Sequence, residues 1–99
     1  MTARRLEFHP EAIAEAEAQR LWYGERSPGA AEGFTTELEA AFDAILEAPD
    51  RWPVYIEGTR RYLLRRYPFL VVYRCIGKVI EIVAVAHGRR KPGYWISRG

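Results

Sequence analysis

Three apolar runs stand close together in the second half of the chain: TRRYLLRRY (59–67), FLVVYRC (69–75) and VIEIVAVAH (79–87), divided by Pro68 and by Gly77-Lys78. Runs this rich in Val, Ile, Leu and Tyr read as strands. The Gly77-Lys78 gap is the length of a tight hairpin loop, so at least the last two strands are antiparallel neighbours. A sheet made mostly of local strands needs a cover for one face, and the first half supplies it. RRLEF (4–8) alternates like a short strand, and His9-Pro10 then opens a helix, because proline suits a first turn whose N–H has no intrahelical acceptor. EAIAEAEAQRLWYGER predicts helix to about Tyr23, with Glu11 and Glu15 near the positive end of its dipole. Ser27-Pro28 supplies a cap and a start for a second helix, in which Phe34, Leu38, Ala41, Phe42, Ile45 and Leu46 form one apolar stripe that Pro49 and Pro53 end. The expected architecture is α+β: an N-terminal strand, then a two-helix hairpin on one face of a small, mostly antiparallel sheet completed by three C-terminal strands. The 99 residues fit one domain, 1–99.

Period-two reading assigns the sheet faces. On the last strand Ile80, Ile82, Ala84 and Ala86 are expected under the helices, and Val79, Glu81, Val83, Val85 and His87 on the open side. On the 59–67 strand Tyr62 and Leu64 face inward and Arg61, Leu63 and Arg65 outward. With Leu70, Val72 and Arg74 sharing the open face, Arg61, Arg65, Arg74, His87 and Arg89 are expected to converge there.

Charge is divided as sharply as pattern. Residues 1–50 hold four basic against eleven acidic residues, a balance of −7, and residues 51–99 hold eleven against two, a balance of +9. Such asymmetry points to an acidic partner for one face. The acidic positions Glu11, Glu15, Glu32, Glu39 and Asp43 read as a solvated helix surface, and Trp22 and Trp52 as core or cap residues. The lone Cys75 reads as a small buried hydrophobe, in keeping with a reducing, cytoplasmic setting. No apolar run reaches the length of a membrane span, and two histidines with no ligand-spaced partner give no metal site; no cofactor is expected. Tyr94 and Trp95, after the HGRRKPG turn, either stack on a partner or fold back over the sheet edge.

The segments RRYLLRRYPFLVVYR and IVAVAHGRRKPGYW, with the EAPDRWP exit from the second helix, resemble the RelE/ParE superfamily of toxins from bacterial type II toxin–antitoxin modules, the plasmid stabilisation proteins. The resemblance implies growth inhibition by the toxin and tight neutralisation by a cognate antitoxin. It also implies one of two activities: inhibition of DNA gyrase, as in the ParE branch, or ribosome-dependent cleavage of mRNA, as in the RelE branch. Carried over residue by residue, the nuclease reading uses Arg61, Arg65, His87, Arg89 and Tyr94. Leu63 and Leu70 stand where RelE-like enzymes have basic residues, and an aliphatic side chain cannot neutralise a phosphate. The balance therefore falls to the ParE branch, with Arg61, Arg65, Arg74, Arg89, Arg90, Lys91 and Trp95 as the surface for target or antitoxin. A nucleic-acid-binding family member without toxicity is the third reading.

Overall fold

A computed structural model describes residues 4–98. Its elements are β1 (Arg5–Phe8), α1 (Pro10–Arg26), α2 (Pro28–Glu47), a short 3-10 turn (Ile56–Gly58), β2 (Arg60–Leu63), β3 (Phe69–Ile76) and β4 (Val79–His87). The sheet order is β1-β4-β3-β2, with β1 parallel to β4 and the other pairs antiparallel. This is the expected α+β arrangement. A parallel pair needs a long crossover, and the helical hairpin provides it.

Local chemistry explains most boundaries. His9 caps α1, its Nδ1 accepting from the Glu11 N–H at 3.1 Å, and Pro10 follows as the first helical residue. The helix runs to Arg26, one turn past the expected Tyr23. Ser27 separates the helices without capping α2 through its side chain, so the entry to α2 rests on Pro28. Strand β2 is shorter than the TRRYLLRRY run because Glu37 on α2 accepts the backbone N–H groups of Arg65 and Arg66 and draws the chain off the sheet. Gly77 takes the positive φ (60°) that the two-residue hairpin between Ile76 and Val79 demands. Cys75 corrects its expectation: near this hairpin end it is exposed, and burial of the thiol itself is enough only to push its pKa up.

The main core joins Phe34, Leu38, Ala41 and Ile45 of α2 to Ala12 of α1 and to Phe69, Val71, Tyr73, Ile80, Ile82 and Val85 of the sheet. Phe42 and Leu46 lie at its margin, as the stripe predicts. Tyr67 leaves the sheet to donate its hydroxyl to the Ala30 carbonyl at 2.8 Å. A Cβ at position 33 would run into that hydroxyl, which is the physical reason for glycine in mid-helix. Trp22 is not core: it is 45% exposed, with the Arg26 guanidinium 3.5 Å above its ring. Trp52 is half-buried, edge-on to Tyr62, with its indole N–H 3.3 Å from the Ala44 carbonyl.

The sheet departs from simple alternation at one point. Tyr73 pairs with Ile82 but Val72 pairs with Ala84, so Val83 is an extra residue in β4. A bulge of this kind exchanges the faces of every later side chain. Ala84 and Ala86 therefore lie on the open face with Leu70, Val72 and Val83, and Val85 points under the helices. His87 moves with Val85: it packs edge-on to Phe69, ring centroids 5.1 Å apart, beside Trp22 and Tyr23 of α1. The expected face assignments of Ala84, Val85, Ala86 and His87 are thus reversed.

Candidate functional site

The face of the sheet away from the helices is covered, not open. Trp95, only 2% exposed, lies over Leu70, Val72, Ala84 and Ala86. Tyr55 stacks on it at 5.5 Å with the rings 28° from parallel, and Tyr94 meets it edge-on at 5.2 Å. Two alanines and a valine under a tryptophan make a shallow bed for a large ring. The residues after Pro92 have folded back, the second of the two readings given for Tyr94 and Trp95.

One carboxylate holds this segment down. Glu15 of α1 accepts from the Tyr94 hydroxyl at 2.5 Å, from both Arg98 terminal nitrogens at 2.9 and 3.0 Å, and from the Val85 N–H at 3.0 Å. Arg98 also donates to the Val83 carbonyl at 3.1 Å. The backbone groups of Val83 and Val85 are free for this role because β1 ends at Phe8, opposite Ile82, leaving the rest of that edge of β4 without a neighbouring strand. Glu15 and Arg98 side chains are only 15% and 13% exposed. Burial pushes the Glu15 carboxyl up, but the hydrogen bonds from Arg98, Tyr94 and Val85 outweigh it and hold the group below the usual carboxylate value. Burial and the same carboxylate raise the Tyr94 phenol well above its ordinary value. Glu15 thus corrects its reading as a solvated acid. The signal available in sequence was a glutamate flanked by Ala14 and Ala16 in a run that also holds Glu11 and Glu17, which by itself does not distinguish a solvated position from a buried one.

The residues expected to converge divide between the two faces of the sheet and its edges. His87 lies on the helix side of the sheet, its Nδ1 accepting from the Arg89 N–H at 3.0 Å. Tyr94 is engaged by Glu15, and Arg90 lies 3.7 Å over the Tyr94 ring and 3.8 Å from Glu15. Arg74 pairs across the hairpin with Glu81 at 2.6 Å. Arg89 and Lys91 are exposed in the turn after β4. Arg61 rests 4.9 Å from the Tyr55 ring, with its Nε buried and lacking an acceptor. Arg65 sits at the lip of β2's outer edge, lining clefts on both sides of itself. General acid–base cleavage needs its groups within hydrogen-bond reach of one reacting centre; His87 packs on Phe69 on the helix side of the sheet and Tyr94 packs with the cluster on the opposite face.

A different surface is concave and apolar. Between α1 and α2 lies a groove of about 320 Å³ floored by Ala12, Ala16, Phe34, Leu38 and Val85, with Phe8, Ile13 and Phe42 on its walls and Glu17, Arg20 and Glu39 on its rim. Phe8 and Ile13 are 39% and 56% exposed, large apolar groups facing the same opening. The stripe on α2 pointed to the sheet, and nothing in α1 alone showed that the two helices diverge enough to leave their seam accessible.

A sequence model of the ParE toxin of the type II toxin–antitoxin system parDE matches residues 6–92, from β1 to the turn after β4. The chain belongs to the ParE toxin family. The fold agrees with that of a solved chain described as a chromosomal ParDE toxin–antitoxin system from P. aeruginosa, with a TM-score of 0.76 over 86% of this chain and 96% of that one at 21% sequence identity. No curated protein sequence matches. For this ParE-family chain the match spans the groove, the bulged strand and the basic turn, and stops short of Tyr94, Trp95 and Arg98, which complete the covered face. Among the described residues no helix is long and apolar enough to cross a membrane.

Proposed function

We propose that this ParE-family toxin arrests growth by binding and inhibiting DNA gyrase, with no nuclease chemistry of its own, and that a cognate antitoxin neutralises it by laying an amphipathic helix in the groove between α1 and α2. The observation that carries the reading is the filled sheet face. Leu70 and Val72 lie beneath Trp95, in the region where the nuclease branch keeps its cations, and the Tyr94 hydroxyl is already committed to Glu15. Support for the antitoxin site comes from the groove, whose apolar floor and mixed-charge rim suit a helix with apolar anchors on one face.

The deciding experiment is induced expression in a bacterial host, with plasmid supercoiling and mRNA 5′ ends followed in the same cultures. Loss of negative supercoiling with intact mRNA is expected; codon-phased mRNA cuts ahead of any topological change would overturn the proposal. Ile13→Glu is expected to weaken antitoxin binding by about 30-fold or more, the scale of a central interface anchor, since it puts a charge into an apolar seam without touching the core. Titration calorimetry against the antitoxin reads this, and an unchanged Kd would move the antitoxin elsewhere. Arg89 is exposed in the basic turn after β4, and Arg89→Glu is expected to reduce growth arrest at equal protein level. Full toxicity in that variant would remove Arg89 from the target contact.

A further inference from the structure

Not every arginine of this chain is matched by an acid. Arg5, Arg20, Arg26, Arg74, Arg90 and Arg98 each have a carboxylate within 4.0 Å, and Arg60 donates to the Asp50 and Trp52 carbonyls. Arg4, Arg51, Arg61, Arg65, Arg66 and Arg89 have no ion pair among the described residues, and of these Arg61 and Arg65 line the same cleft at the outer edge of β2. The cleft holds about 280 Å³ and is lined as well by Trp52, Pro53, Tyr62 and Leu63. It contains two guanidinium groups, two aromatic rings and no acid. The Arg61 Nε is buried without an acceptor, so the protein's own groups leave this guanidinium incompletely satisfied.

We infer that this cleft binds a carboxylate side chain of a protein partner, a Glu or Asp flanked by apolar residues, on Arg61 and Arg65. Guanidinium groups match a carboxylate in planar, charge-assisted pairs, and Trp52, Tyr62 and Leu63 take the flanking apolar groups. A polyphosphate chain suits the place less well. Beyond Arg65 the surface runs into a second cleft that carries Glu32 and Glu37, which would oppose a continuing track of phosphates. The cleft lies on the far side of α2 from the groove between the helices, and so is a separate point of attachment. The inference rests on the proposed function only in taking the partner to be a protein.

The test uses the full chain labelled with ¹⁵N and titrated with a capped peptide alternating Glu and Leu, with a single-stranded oligonucleotide of equal charge as the competing probe. The peptide is expected to shift the Arg61 Nε–H and the Trp52 indole N–H, and to bind about tenfold more weakly to Arg61→Gln and to Arg65→Gln. Arg65 is exposed, so its variant remains informative should Arg61→Gln disturb packing on Tyr55. Absence of shifts at millimolar peptide, shifts confined to Arg89 and Lys91, or tighter binding of the oligonucleotide at the same resonances would each overturn the inference. Ile13→Glu should bind the peptide like the parent chain. A failed peptide titration alongside a disabled antitoxin groove in that variant would remove the cleft alone and leave the proposed neutralisation standing.

Discussion

Glu15→Ala is expected to lower the stability of this toxin by about 3 kcal/mol, within the range for breaking a largely buried pair by deleting one partner. The change strands the Arg98 guanidinium, the Tyr94 hydroxyl and the Val85 N–H at once, and each was desolvated on the strength of that carboxylate. Against a total of about 5–15 kcal/mol for a domain this size, the melting temperature should fall by about 10 °C or more. A fall of less than about 3 °C would mean that water already serves these donors. The same group sets a pH dependence. Because its folded pKa is depressed, its contribution is fully present above the unfolded value of 4.5 and is lost as pH falls through the lower folded value. Denaturant titrations between neutral pH and about pH 3 should show the parent chain losing stability across that window, and Glu15→Gln, which cannot titrate, losing less. Parallel curves for the two proteins would assign the acid sensitivity to other carboxylates.

Trp95→Ala is the second large effect, about 3–5 kcal/mol. It removes the ring that covers Leu70, Val72, Ala84 and Ala86 and the partner on which Tyr55 stacks, leaving a void lined by groups too rigid to collapse into it. Trp95→Phe separates covering from hydrogen bonding. The indole N–H of Trp95 is buried without an acceptor, so exchanging the indole for a phenyl ring discards an unsatisfied donor while keeping most of the apolar cover. We expect that variant to lie within about 1.5 kcal/mol of the parent chain. Equal losses for the two variants by chemical denaturation would show that the indole shape, and not burial of the face, is what the site requires.

The physical reason that some of this could be read from sequence lies in which features are local. The order of elements follows from periodicity and from punctuation by Pro10, Pro28, Pro68 and Gly77, and the stripe Phe34-Leu38-Ala41-Ile45 is the buried face of α2. What alternation could not supply was the bulge at Val83. An extra residue leaves no trace in a run such as IVAVA, where every side chain is apolar, and all faces beyond it exchange. His87 was misplaced for that reason, and with it the expected convergence of basic groups. Ala84 and Ala86 held the one usable clue, since two small residues separated by one position provide a bed for a large ring. Glu15 and Arg98 were illegible for a different reason. Their pairing joins α1 to the far end of the chain, and no local pattern encodes a contact over such a separation.

The first strand and the last are neighbours: Arg5 lies opposite Val79 and Phe8 opposite Ile82. During synthesis β1 emerges early and finds no partner until Val79 and the rest of β4 have been made. At about 5–20 residues per second the delay is on the order of several seconds. Val85, part of the floor of the groove between the helices, arrives later still, and Arg98, which fastens the covered face, later again. A nascent copy on the ribosome therefore has helices but no finished groove, and a truncated product has neither the sheet nor its cover. The finished groove and the covered face both wait on residues from β4 onward, and long-range closure of this kind is slow.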